Sequence, residues 1–238
     1  MKGLIVIPTY NERENIERII SKICATVKEV NILVVDDNSP DGTANIVVNI
    51  VKNNKRVKLL QRADKMGLGT AYIEGFKYAI EKGYDFVGEM DADLSHQPED
   101  LKKLILNLKK ADVVVGSRYV NKGKVENWPF MRLLLSTVAN VYAKLLTGIP
   151  VKDLTAGFVL YNRKVIESLP LDKIKTDGYG FQIEVKYYAY RNGFKIMEVP
   201  IKFMDRKIGK SKMNGKIINQ AFFLVLKLFY RRVVRRIM

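Results

Sequence analysis

The first half of the chain alternates between two hydrophobic periods. Apolar residues run almost unbroken through GLIVIPTY (3–10) and then recur at helical spacing as Ile16, Ile19, Ile20 and Ile23. A strand followed by an amphipathic helix is predicted, with Asn11 as the helix cap. NILVVDDNSPDGT (31–43) reads as a buried strand entering a turn rich in Asp, Asn, Pro and Gly. VKLLQR (57–62) is a third strand, followed by a glycine-containing loop and a helix with Tyr72, Phe76, Ala79 and Ile80 on one face. DFVGEM (85–90) and DVVVGSRY (112–119) are further strands on either side of the helix EDLKKLILNLKK (99–110). Strands joined by helical crossovers predict an α/β fold with a largely parallel central sheet flanked by helices.

The second half is less regular. It holds an aromatic and apolar helix, WPFMRLLLSTVANVYAKLLTG (128–148), and a terminal amphipathic helix from Ile217 to Met238 that ends in RRVVRR. There is no internal repeat and no low-complexity linker, so the predicted division is one domain over 1–203 and a basic extension over 204–238. AFFLVLKLFY (221–230) falls short of the roughly 20 apolar residues that span a bilayer and carries Lys227. The start, Met1-Lys2 leading into a strand-length run, does not read as a signal peptide.

Composition narrows the classes. A content of 47% hydrophobic residues in 238 is ample for a buried core. One cysteine, Cys24, and one histidine, His96, exclude an internal disulfide framework and a Cys/His zinc cluster, and fit a reduced, intracellular setting. The formal charge of +16 calls for an anionic partner: nucleic acid, an anionic membrane or phosphorylated substrates. From Lys202 onward every charged residue but Asp205 is basic. These positives are interleaved with Phe222, Phe223, Leu224, Leu226 and Phe229, a continuous apolar face rather than separate base-stacking platforms, which argues against nucleic acid.

Polar residues gather where the predicted strands end, the edge at which open α/β sheets bind ligands. These are PTYNE (8–12), Asp36-Asp37, Gly116-Ser117-Arg118 and the acidic EMDADLSHQPED (89–100). Asp91 and Asp93, one residue apart, would face the same way in a strand and share a divalent cation with a diphosphate. Oxygen ligands of this kind suit Mg²⁺ or Mn²⁺. The plainer reading of an isolated D-x-D is an acidic turn, with Glu99-Asp100 starting the next helix. Convergence of several polar strand ends favours a site.

The ordered series VIPTYNERENI, VVDDNSPDGT, GLGTAYIEGF, MDADLSHQPE, GSRYV and TAGF, with GYGFQIE and RKIGKSKM after it, resembles the family-2 glycosyltransferases of GT-A fold. Within that family it is most similar to the dolichol-phosphate mannose synthases and their archaeal relatives. The resemblance implies a Rossmann-like nucleotide-sugar-binding catalytic domain over 1–203, then a basic lid and a membrane-interface helix over 204–238. The implied reaction is metal-dependent, inverting transfer of mannose from GDP-mannose to a dolichyl or other polyprenyl phosphate. A UDP-sugar donor, such as UDP-glucose, is the alternative. Carried over by residue, Pro8, Tyr10, Glu12, Val35 and Asp37 would hold the nucleoside. Asp91, Ala92 and Asp93 would meet the diphosphate, with Asp91 and Asp93 on the metal. Ser95 stands where the family often has Gln as a further metal ligand. Arg118 and Arg132 would bind the acceptor phosphate, while Arg206 and Lys212 would close over the donor from a segment hinged at Gly209 and Gly215.

A phosphate monoester is already anionic, so no general base is demanded. His96 then reads either as acid or base or as a turn residue orienting the D-x-D loop, and the latter is the simpler. Glu184 reads as structure or lid positioning, and Cys24 as core. The helix at 128–148 is either core or membrane face; the basic, aromatic terminal helix suits an anionic membrane surface. The expected state is peripheral, on the cytoplasmic side of a membrane, with a separate anchoring subunit or self-association as possible support.

Overall fold

Along β1 (Gly3–Thr9) alternate residues serve opposite faces: Ile5 and Ile7 join one buried cluster, Leu4 and Val6 another. β2 (Val30–Asp36) divides likewise, Ile32 and Val34 against Leu33 and Val35. Strands covered on both faces are apolar throughout, so neither shows alternation in sequence. The computed structural model describes residues 1–205 and 215–237.

β3 (Val57–Gln61), β4 (Phe86–Glu89), β5 (Val113–Ser117), β7 (Val159–Asn162) and β8 (Ile196–Pro200) complete a sheet of order β3-β2-β1-β4-β7-β5-β8. β6 (Lys124–Glu126) and β9 (Lys202–Met204) pair separately. All neighbours in the large sheet are parallel except β7, which runs antiparallel to β4 and β5. α1 (Ile16–Thr26), α2 (Thr43–Asn53) and α4 (Pro98–Asn107) cover one face. α3 (Leu68–Glu81), α6 (Arg163–Ser168) and α7 (Gly178–Arg191) cover the other.

The expected cap of the first helix is displaced. Asn11 takes a left-handed backbone, φ 58°, and α1 begins only at Ile16, with Asn15 at its N-cap. The carbonyl of Glu12 accepts from the N–H groups of both Asn15 and Ile16 (3.0 and 2.9 Å), so residues 11–15 form a turn at the strand mouth. Asn tolerates the left-handed region better than most residues.

α5 (Phe130–Thr147) and α8 (Gly215–Ile237) pack with α7 around a third cluster holding Leu224, Val225 and Leu228. Arg232 Nη1 donates to the carbonyls of Leu145 and Leu146 (3.2 and 3.1 Å), partnering groups that a helix C-terminus leaves open. The terminal helix is therefore docked on the main body. Its remaining face is not: Phe223 is 67% exposed, and on α5 Leu135 is 65% exposed.

Candidate active site

The polar strand ends meet in one cleft of about 530 Å³. Pro8, Tyr10 and Glu12 line it from the end of β1, and Asp37 from the end of β2. Asp91, Ala92, Asp93 and Ser95 line it after β4, Arg118 after β5, and Arg132 from α5. Val35 is not among the lining residues; its side chain is buried in the core. Arg206 and Lys212 lie outside the described residues.

The D-x-D motif follows the end of a strand, as expected, but lies in a turn and not in extended backbone. β4 stops at Glu89 and residues 92–94 turn, so strand alternation is not what brings the two aspartates together. Leu94 has φ 62°, a left-handed conformation that costs a non-glycine residue about 1 kcal/mol. The turn is fixed by Ser95 N–H donating to Asp93 Oδ1 at 3.0 Å and by Asp91 N–H donating to His96 Nδ1 at 3.3 Å. His96 is buried, stacked on Phe158 with ring centres 5.0 Å apart. Burial pushes its imidazole down to about 4 against the opposing pull of Asp93. Neutral at ordinary pH, it acts as an acceptor that holds the loop.

Tyr72, read from sequence only as an apolar helical position, reaches Asp91 Oδ1 with its hydroxyl at 3.5 Å. Ser95 Oγ is buried with no hydrogen-bond partner among the described residues. A buried hydroxyl left open beside two aspartates fits a hard cation with oxygen ligands. Among the described residues no three His, Cys, Asp or Glu side chains form a metal-binding group.

At the ends of β1 and β2, the adjacent aspartates serve two different loops. Asp36 accepts from Thr9 Oγ1 (2.7 Å) and from the N–H and hydroxyl of Ser39 (2.9 and 2.6 Å), tying the first two strand ends together. Asp37 pairs with Arg62 and accepts from the N–H of Gly67 at 3.0 Å, holding the loop before α3. Lys65 Nζ stands 4.0 Å from the Tyr10 ring centre. Asp177, the N-cap of α7, accepts from Gly69 N–H at 2.7 Å and joins the starts of α3 and α7. A Cβ on Gly69 would stand 2.3 Å from the carbonyl oxygen of Thr176. Gly69→Ala is expected to destabilise by about 1–3 kcal/mol, read as a lower thermal midpoint.

At the end of β5, Arg118 is buried against Asp153. Its Nε and Nη2 donate to the two carboxylate oxygens (2.8 and 2.6 Å), and Nη2 also donates to Thr155 Oγ1 at 2.9 Å. Arg132 pairs with Asp205 at 2.9 Å. Beneath this wall Lys186, fully buried, donates to the carbonyls of Leu154 and Ala156 (3.1 and 2.8 Å) and to Gln182 Oε1 (3.1 Å). Gln182 in turn donates to Glu89 at 2.7 Å. Burial pushes Lys186 down to about 8 and Glu89 up to about 7. This network links the segment holding Arg118 to the strand that carries the D-x-D turn. Sequence reasoning missed it. The available signals were Asp153, two residues before TAGF, and the i,i+4 spacing of Gln182 and Lys186.

Comparison with known proteins agrees with this fold. The sequence model of glycosyl transferase family 2 matches residues 4–169. Polyprenol monophosphomannose synthase of Mycolicibacterium smegmatis is 45% identical over 226 residues, covering 94% of this chain and 85% of the relative. Undecaprenyl-phosphate mannosyltransferase of Micrococcus luteus is 42% identical over 221 residues, covering 93% and 91%. Among solved structures, glucosyl-3-phosphoglycerate synthase from Mycobacterium tuberculosis, in complex with Mn²⁺, UDP and glucosyl-3-phosphoglycerate, superimposes with a TM-score of 0.73 at 19% identity. That match covers 95% of this chain and 79% of the other, a likeness of fold. A GT-A-type sheet with its polar strand ends gathered on one cleft, and a sequence matched over most of its length, lead to one conclusion: the chain belongs to glycosyl transferase family 2.

Proposed function

We propose that the protein transfers mannose from GDP-mannose to the phosphate of a polyprenyl lipid of the dolichyl type, with inversion at the anomeric carbon. The observation that carries this reading is one cleft lined by a pair of aspartates, Asp91 and Asp93, and by two arginines, Arg118 and Arg132. The activities named for the two curated relatives support the same substrate class.

In this reading Pro8, Tyr10, Glu12 and Asp37 bound the nucleoside end of the cleft, with Val35 behind them in the core. Asp91 and Asp93, with Ser95 Oγ, would hold Mg²⁺ or Mn²⁺, which supplies positive charge against the leaving diphosphate. Arg118 and Arg132 gather the acceptor phosphate, whose geometry suits planar guanidinium groups. Held in line, a phosphate oxygen forms a bond to the anomeric carbon as the bond from that carbon to the diphosphate breaks, and GDP leaves with the electron pair. The attacking group is an anion near neutral pH, so the transfer requires no proton acceptor. Arg206 and Lys212 are assigned to the leaving diphosphate on resemblance alone.

Among the described residues no helix is long and apolar enough to cross a membrane. The exposed apolar faces of α5 and α8, with Arg231 on the latter, support peripheral docking on anionic lipid. Leu135→Ser combined with Phe223→Ser is expected to weaken binding to phosphatidylglycerol vesicles about tenfold or more in a flotation assay. Labelled GDP-mannose, Mn²⁺ and detergent-solubilised polyprenyl phosphate should yield lipid-linked mannose. A larger yield from UDP-glucose would change the donor and keep the mechanism. No lipid-linked sugar from any donor would overturn the reading.

A further inference from the structure

Trp128 is the one tryptophan in the sequence, and it lines the cleft beside both arginines. The guanidinium carbons of Arg132 and Arg118 stand 4.1 and 5.5 Å from its ring centre. Phe203 meets the indole edge to face, with centres 5.4 Å apart. The two arginines are anchored by different acids, Asp153 and Asp205. Among the described residues Trp128 is the ring within cation–π reach of both.

Each cation is paired with its own carboxylate, and neither pair sets the distance from one guanidinium to the other. The negative face of a shared ring attracts both guanidiniums and sets that distance. The indole Nε1 is buried and without a hydrogen-bond partner among the described residues. A large ring whose polar atom goes unused is held for its face. We propose that Trp128 is a positioning residue that fixes Arg118 and Arg132 at the separation that takes the acceptor phosphate, and so sets affinity for the acceptor and not for the donor.

The inference rests on the reading of the two arginines as the acceptor site, and one set of measurements separates the two. With citronellyl phosphate as a water-soluble acceptor, Trp128→Leu is expected to raise acceptor KM about tenfold, with kcat and donor KM within about twofold. Trp128→Phe, which keeps a smaller ring face, should raise acceptor KM about threefold. Fluorescence of the wild-type enzyme, excited at the red edge where tyrosine does not absorb, reports on Trp128 alone. It should change saturably with citronellyl phosphate, at concentrations that track acceptor KM.

If Arg132→Gln raises acceptor KM and Trp128→Leu does not, the positioning role is overturned and the acceptor site stands. If neither variant moves acceptor KM, the acceptor site falls and the inference falls with it. Equal losses in donor and acceptor KM would show a general structural role and also overturn it. Should Trp128→Leu fail to fold, the phenylalanine variant and the wild-type fluorescence decide. An active enzyme whose fluorescence ignores the acceptor refutes the proposal.

Discussion

Asp91→Ala and Asp93→Ala should each lower kcat/KM at least about a thousandfold, a loss of about 4 kcal/mol in transition-state stabilisation. Both carboxylates line the cleft, and Asp91 keeps 39% of its side chain accessible. A cation held there would act on charge that develops as the donor bond breaks, so removing a ligand should affect the chemical step more than the fold. Asp93→Ala also loses the acceptor for Ser95 N–H. A fall of a few degrees in thermal midpoint is therefore expected for Asp93→Ala and a smaller one for Asp91→Ala. Steady-state kinetics with labelled GDP-mannose, beside calorimetric titration of Mn²⁺ in the presence of GDP, would measure both effects. Either variant keeping more than a tenth of wild-type activity would remove the aspartates from the reaction centre.

What the sequence disclosed, and what it hid, follows from the range of the interactions. Each of the first strands and its following helix is local, and the apolar positions of β1, α1, β2 and α3 carry their own period. α2 was harder, because TANIVVNIVKN is β-branched and reads poorly as a helix. Its start is secured by Asp41, which accepts from the N–H and hydroxyl of Thr43 at 3.0 and 2.6 Å. The antiparallel β7 takes its place through pairing with β4 and β5, a long-range choice that four residues do not announce. α7 inverts the usual rule by burying Gln182, Glu184 and Lys186, so its hydrophobic period points nowhere. In the site, strand-end motifs located Tyr10, Glu12, Asp37, Asp91, Asp93 and Arg118. The partners that hold them, Asp153, Asp177 and Lys186, come from distant segments and make sense only after folding.

Arg118 poses the sharper question, because it is both a buried structural charge and a lining residue of the cleft. Asp153→Ala would leave its guanidinium buried without a counter-charge and its backbone N–H without the acceptor now at 2.9 Å. The expected cost is about 3–5 kcal/mol, measured by denaturant titration. In a chain of this size that corresponds to a fall of roughly 10 °C in thermal midpoint. Replacing both members, Arg118→Leu with Asp153→Leu, removes the uncompensated charge and should recover much of that stability, because a buried ion pair exchanged for apolar side chains is often close to neutral. Activity should not follow. The double variant is expected to keep an acceptor KM raised about tenfold or more, since Arg132 would then face the lipid phosphate alone. Recovery of fold without recovery of acceptor affinity separates the two roles of the pair. If acceptor affinity returns with stability, Arg118 serves only the fold, and the phosphate is gathered by Arg132 without it.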